Sequence, residues 1–167
     1  MKEWSLSTQP PVDEDAFTTE QAAVAAVNAA FYQAIEDGDL DGMGALWLDG
    51  EHADTVHCVH PGQPAVHGRS RVLMSWTVVM ARLSYLQFFL TDVRVVVASE
   101  VAVVTCAENV LADLPEAEDP SIFAGGRAEA TNVFRRDRDG SWRLFSHHSS
   151  PVFPSGRGEE AVGPDGG

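Results

Sequence analysis

The 167-residue chain reads as an α+β domain, with helices on one face of a curved, mostly antiparallel sheet. Three observations predict this. Apolar residues recur at spacings of three and four in the first half of the chain, the helical period. From Tyr85 onward the sequence turns to long segments rich in β-branched residues. Two of the joins between those segments, Ser99–Glu100 and Arg138 to Gly140, have only hairpin length.

Residues 1–17 form an irregular lead-in broken at Pro10–Pro11. Thr18 with Gln21 makes a capping-box pattern, so a helix is expected from there to about Asp37, with Val24, Val27, Phe31, Ala34 and Ile35 as its apolar stripe. Gly38 ends it, and Asp39 caps a short second helix that turns Leu40, Met43, Leu46 and Trp47 inward. Ala53–His60 reads as the first strand, stopped by Pro61–Gly62. Ser70 to Leu83 reads as a third helix, with Val72, Leu73, Trp76, Val79, Met80 and Leu83 as its apolar face. Four strands follow: Tyr85–Ala98, Glu100–Asp113, Arg127–Asp137 and Ser141–Ser150, with a loop between the second and third. The Gly/Pro-rich end, residues 153–167, reads as a flexible tail, which leaves residues 18–152 as the folded domain.

Composition narrows the partners. The formal charge is −14, and residues 1–60 hold twelve acids against one lysine. Such a surface repels nucleic acid and anionic lipid. No stretch has the roughly 18 apolar residues that span a bilayer, and the N-terminus lacks the apolar core of a signal peptide. Cys58 and Cys106 form no CxxC pair and read as reduced core residues of a cytoplasmic protein. Strands such as "VRVVVA" are apolar on both sides, so the outer face of the sheet is expected to pair with a second copy in a homodimer.

The pieces "AAFYQAIEDGDLDGMGALW", "VHPGQPAVHGRSRVLMSW" and "TNVFRRDRDGSWRLFSHHSS", in this order and spacing, resemble the nuclear transport factor 2-like superfamily, with its SnoaL-like cyclases and ketosteroid isomerases. The resemblance implies a conical barrel with a deep pocket between helices and sheet. It leaves the chemistry open, because this fold hosts isomerases, cyclases, dehydratases and non-enzymatic binding modules. Carried over residue by residue, the isomerase tyrosine falls on Phe31, with Tyr32 beside it. The base carboxylate falls near Val59, and the protonated aspartate falls on Asn132. Only the last position keeps a hydrogen-bond donor, which argues against ketosteroid isomerase activity.

Strand parity picks the polar candidates. His60 shares a face with Val56 and Cys58, so it, rather than His57, is expected to point inward. On the last strand Trp142, Leu144, Ser146 and His148 share the more core-like face, which favours His148 over His147. Glu108 sits with Val104, Cys106 and Val110, and Asn132 with Ala128, Ala130 and Phe134. The expected pocket therefore brings together His60 as base, Glu108 as its orienting group or acid, Asn132 as enolate stabiliser, and His148. Tyr32, Trp47, Trp76 and Phe31 would line it around a small apolar ligand. No helical HxxxH or HExxH spacing is present, so no metal is expected, and no cofactor. The chemistry would be cofactor-free isomerisation, cyclisation or dehydration of an apolar, carbonyl-bearing metabolite. The alternative is a non-catalytic binding or association module on the same fold.

Overall fold

In a computed structural model the described residues are 18–82, 85–113 and 126–153, so the lead-in, Leu83 and nearly all of the tail lie outside them. The elements run α1 (Thr19–Asp37), α2 (Leu40–Leu46), a 3₁₀ helix (Gly50–Thr55), β1 (His57–Val59), β2 (Val66–His67), α3 (Arg69–Arg82), β3 (Tyr85–Ala98), β4 (Val101–Asp113), β5 (Gly126–Arg136) and β6 (Trp142–Pro151). The six strands form one sheet in the order β2-β1-β6-β5-β4-β3. Every neighbouring pair is antiparallel except β1 with β6. The core lies between the three helices and the inner face of this sheet.

Local chemistry sets the helix limits. Both halves of the Thr18–Gln21 capping box form, and Gly38 takes the left-handed conformation (φ 66°) that closes α1. The helix is then clipped to β3 near each end. Gln21 Nε2 donates to the Val95 carbonyl at 2.9 Å, and Glu36 Oε1 accepts from the Phe88 amide at 2.6 Å. Val24, Phe31, Tyr32, Ala34 and Ile35 are buried as a stripe, and Asn28 joins them.

Three expectations need correction. The expected strand Ala53–His60 is only three residues long, because its first part winds into the 3₁₀ helix. Local hydrogen bonds hold that turn: Asp49 Oδ1 accepts from the Gly50 amide, and Thr55 Oγ1 donates to the His52 carbonyl. β2, a strand that turn signals alone did not announce, pairs His67 with His57 and Val66 with Cys58. Leu40, placed inward by periodicity, is exposed as the first residue of α2, while Met43 and Trp47 are buried.

The third correction decides the site. Along β5 and β6, Val133 pairs with Ser146 but Phe134 pairs with Leu144, so Phe145 is an extra, unpaired residue. This β-bulge inverts the facing of everything beyond it. His147 and Ser149 turn inward and His148 turns out to solvent.

Among the described residues no helix is long and apolar enough to cross a membrane. The outer face of the sheet carries exposed Phe89, Val96 and Leu111.

Candidate active site

Four elements aim polar side chains into the buried interior. On α1, Asn28 and Tyr32 are one turn apart on the same face. On β4 and β5 the regular register pairs Glu108 with Ala128 and Val104 with Asn132, so both polar residues face inward. The bulge adds His147 and Ser149 from β6. All six are no more than 3% exposed.

Their hydrogen bonds have one consistent direction. Tyr32 Oη donates to Glu108 Oε1 at 2.7 Å, and the Ser149 hydroxyl donates to the other carboxyl oxygen. With its proton committed, the tyrosine oxygen accepts from Asn132 Nδ2 at 3.2 Å, which also donates to Asn28 Oδ1 at 2.8 Å. Asn132 Oδ1 is left as an acceptor, so His147 Nδ1, 2.6 Å away, carries the ring proton. Burial raises the Glu108 carboxyl above its ordinary range, against the lowering effect of the Ser149 and Tyr32 hydroxyls. Burial, and then the Glu108 charge, pushes Tyr32 well up. His147 is pushed down to about 3 by burial, with His60 and His148 adding to it, so its ring is neutral.

Beside this network stands a different arrangement. Cys58 pairs with His147 across β1 and β6, and His60, two residues on, also faces inward and is 5% exposed. Its Nε2 lies 2.9 Å from Ser75 Oγ on α3 and 3.7 Å from Cys58 Sγ. Among the described residues its Nδ1 is buried without any partner, and so is Nε1 of Trp76. The two rings are neighbours, with centroids 4.5 Å apart in an edge-to-face contact. Burial alone pushes His60 down to about 4, so it too is neutral near pH 7. An unpaired buried acceptor and an unpaired buried donor each cost about 1–3 kcal/mol.

Aromatic rings join the two groups. Phe31 lies 5.1 Å from His147, 5.3 Å from Trp76 and 5.1 Å from Tyr32, and Trp76 lies 5.5 Å from His147. Trp47 sits 6.2 Å from Phe31, and its indole donates to Met43 Sδ, which makes it packing with its polar atom occupied. A cavity of about 270 Å³ opens at the C-terminal end of α1. Ile35, Met80 and Leu86 line it, and each is a turn of helix or a strand repeat from Tyr32, Trp76 and Phe88.

The structure thus brings together His60, Glu108, Asn132, Tyr32, Trp76 and Phe31. His148, expected inside, is exposed beside Ser150, and His147 holds the inward position. At the isomerase positions Phe31 is apolar core and Val59 is half-buried, while Tyr32 supplies the hydroxyl that reaches Glu108. Asn28, Ser75 and Ser149 were not anticipated. Asn28 had a signal, four residues before Tyr32 on the apolar stripe. Among the described residues no three His, Cys, Asp or Glu side chains are grouped to hold a metal.

Residues 24–154 match the family model described as SnoaL-like domain. A Streptomyces avermitilis structure named "putative dehydratase from the NTF2-like family" is 46% identical, with a TM-score of 0.71 over 81% of this chain and 98% of that one. A Thiobacillus denitrificans structure, "putative calcium/calmodulin-dependent protein kinase type II association domain", is 26% identical, with a TM-score of 0.63 over 77% of this chain and 94% of that one. The F-box protein SKIP8 of Arabidopsis thaliana is 30% identical over 77% of this chain, which spans 49% of that protein's length.

Proposed function

The chain belongs to the SnoaL-like domain family, and from that premise we propose that it is a cofactor-free acid–base enzyme acting on an apolar, carbonyl-bearing metabolite, of the isomerase, cyclase or dehydratase kind. The observation that carries this is the pair of buried, unpartnered groups on adjacent rings, His60 Nδ1 and Trp76 Nε1. One is a lone pair able to take a proton, and the other is an N–H able to hold an oxygen.

A substrate carbonyl accepts from the Trp76 N–H, and His60 Nδ1 removes a proton from the adjacent carbon. The electron pair of the broken C–H bond moves onto the carbonyl oxygen as an enolate. The imidazolium then returns the proton. Delivered to another carbon, it isomerises the substrate; delivered to a β-hydroxyl that departs as water, it completes a dehydration. Burial holds His60 neutral at rest, and the enolate formed beside the ring supplies the counter-charge that its imidazolium needs. Phe31, packed against the Trp76 ring, gives the pair an apolar surrounding. Glu108, Tyr32, Asn132 and Asn28 serve as positioning residues that hold the His147 ring against Trp76. The name of the 46% identical relative supports this class of chemistry.

The test is exchange of the α-protons of β-tetralone into D₂O, followed by NMR. Wild-type protein should accelerate it and His60→Phe should not. Exchange at the buffer rate with both proteins would reject the acid–base reading.

A second reading, a non-catalytic association module, draws on the exposed Phe89, Val96 and Leu111 of the outer sheet face and on the likeness to an association domain. With either reading we propose a homodimer through that face, drawn from its exposed apolar residues. A monomeric mass by light scattering at micromolar concentration would reject the dimer.

A further inference from the structure

We propose that Ser75 is a positioning residue that fixes His60 in the tautomer whose ring proton sits on Nε2 and whose Nδ1 is bare. The geometry leaves little freedom. Ser75 Oγ lies 2.7 Å from the Val72 carbonyl, one helical turn back, and a carbonyl oxygen only accepts. The single hydroxyl proton is therefore spent inside α3. What Ser75 offers His60 Nε2, 2.9 Å away, is a lone pair. Nε2 must then carry the ring proton, and Nδ1 is left bare. Nδ1 is the atom that is buried with no partner.

The other neighbour of Nε2 does not change this. Cys58 Sγ, at 3.7 Å, is the longer and weaker contact. Burial pushes its thiol up, so it stays protonated and adds no charge. Without Ser75 the two neutral tautomers of His60 would be set only by this weak contact, and part of the population would carry its proton on Nδ1.

The tautomer assignment stands on these distances alone; its catalytic consequence rests on the acid–base reading above. The experiment uses ¹⁵N-labelled full-length protein, with the His60 ring nitrogens observed by long-range ¹H–¹⁵N correlation at neutral pH. Wild type should show a protonated Nε2 and an unprotonated Nδ1. Ser75→Ala should move both nitrogen shifts toward a mixture, and Ser75→Thr, which keeps the hydroxyl, should restore them. In β-tetralone exchange Ser75→Ala should lower kcat about tenfold with little change in KM, again with recovery in Ser75→Thr.

A wild-type ring protonated on Nδ1, or shifts indifferent to Ser75→Ala, would overturn the proposal. So would a Cys58→Ala variant that scrambles the tautomer while Ser75→Ala does not. If the shifts respond as expected but His60→Phe exchanges β-tetralone as fast as wild type, the tautomer assignment stands and the acid–base reading falls.

Discussion

Two polar groups share the interior of this protein and differ in one respect. The network in which Asn132 joins Asn28, His147 and, through Tyr32, Glu108 is buried, and its donors and acceptors interlock in one direction. The neighbouring pair, His60 and Trp76, is as deeply buried but leaves one acceptor and one donor unmet. Folding rewards the first arrangement and penalises the second. A satisfied network rigidifies a core. An unsatisfied pair persists where the rest of the molecule carries its cost, and such sites are where chemistry is expected. The difference assigns structure to one group and reactivity to the other, although both consist of the same kinds of side chain.

The sharpest way to break the comparison is to exchange the roles by mutation. His60→Phe keeps an aromatic ring and removes both nitrogens. It should slow β-tetralone exchange by about 10²–10⁴-fold, while the stability read by urea unfolding falls by only about 1 kcal/mol, because Nδ1 had no partner and the Nε2 bond to Ser75 is the one lost. Asn132→Leu should do the reverse in stability. It strands Asn28 Oδ1, Tyr32 Oη and His147 Nδ1 together, at a cost of about 3–5 kcal/mol in the same titration. A stable Asn132→Leu protein would show that the network is not the structural element claimed.

Acid provides the next contrast. His60 and His147 are held neutral in the fold at about 4 and about 3, against 6.5 for a free imidazole. The unfolded chain binds protons that the native one refuses, so their contribution to stability is complete above pH 6.5. It is lost as pH falls through those folded values. Glu108 has the opposite sign: its raised value favours the neutral acid and contributes below pH 4.5, a gain lost as pH rises through the folded value. Denaturation midpoints measured from neutral to acid pH should fall in wild type. They should fall less steeply between pH 6.5 and about pH 4 in His60→Phe, which has one group fewer that takes up a proton on unfolding.

The smallest expected effect is that of Tyr32→Phe. It removes one donor to Glu108 and one acceptor for Asn132, for about 1–2 kcal/mol in urea and little change in exchange rate. A loss of exchange as large as that of His60→Phe would move Tyr32 from positioning to catalysis.

Much of this site was legible before the structure. Glu108 and Asn132 follow from parity because β4 and β5 pair without interruption from Val101–Arg135 to Val110–Gly126. His60 follows from its place two residues beyond Cys58. The last strand misleads because parity holds only while every residue has a partner, and Phe145 has none. Nothing in "WRLFSHHSS" marks the slip, since a bulge is chosen by how two strands close a curved sheet and not by one strand's composition. Ser75 was hidden for another reason. A serine inside a helix face normally satisfies itself, as this one does on Val72, and its second contact depends on His60, fifteen residues earlier and just past β1.

By itself the sequence determined the helices, through the Thr18 cap, the Gly38 stop and the apolar stripes, and the order of the long strands, through their β-branched runs. These are local choices, settled by side chains acting on nearby backbone. The tertiary structure alone decided that His147 rather than His148 points inward, which polar groups find partners, and which nitrogen of His60 stays bare. Those outcomes depend on atoms brought together from α1, α3, β1, β4, β5 and β6, and hydrogen-bond directions are fixed only when the whole set is in place.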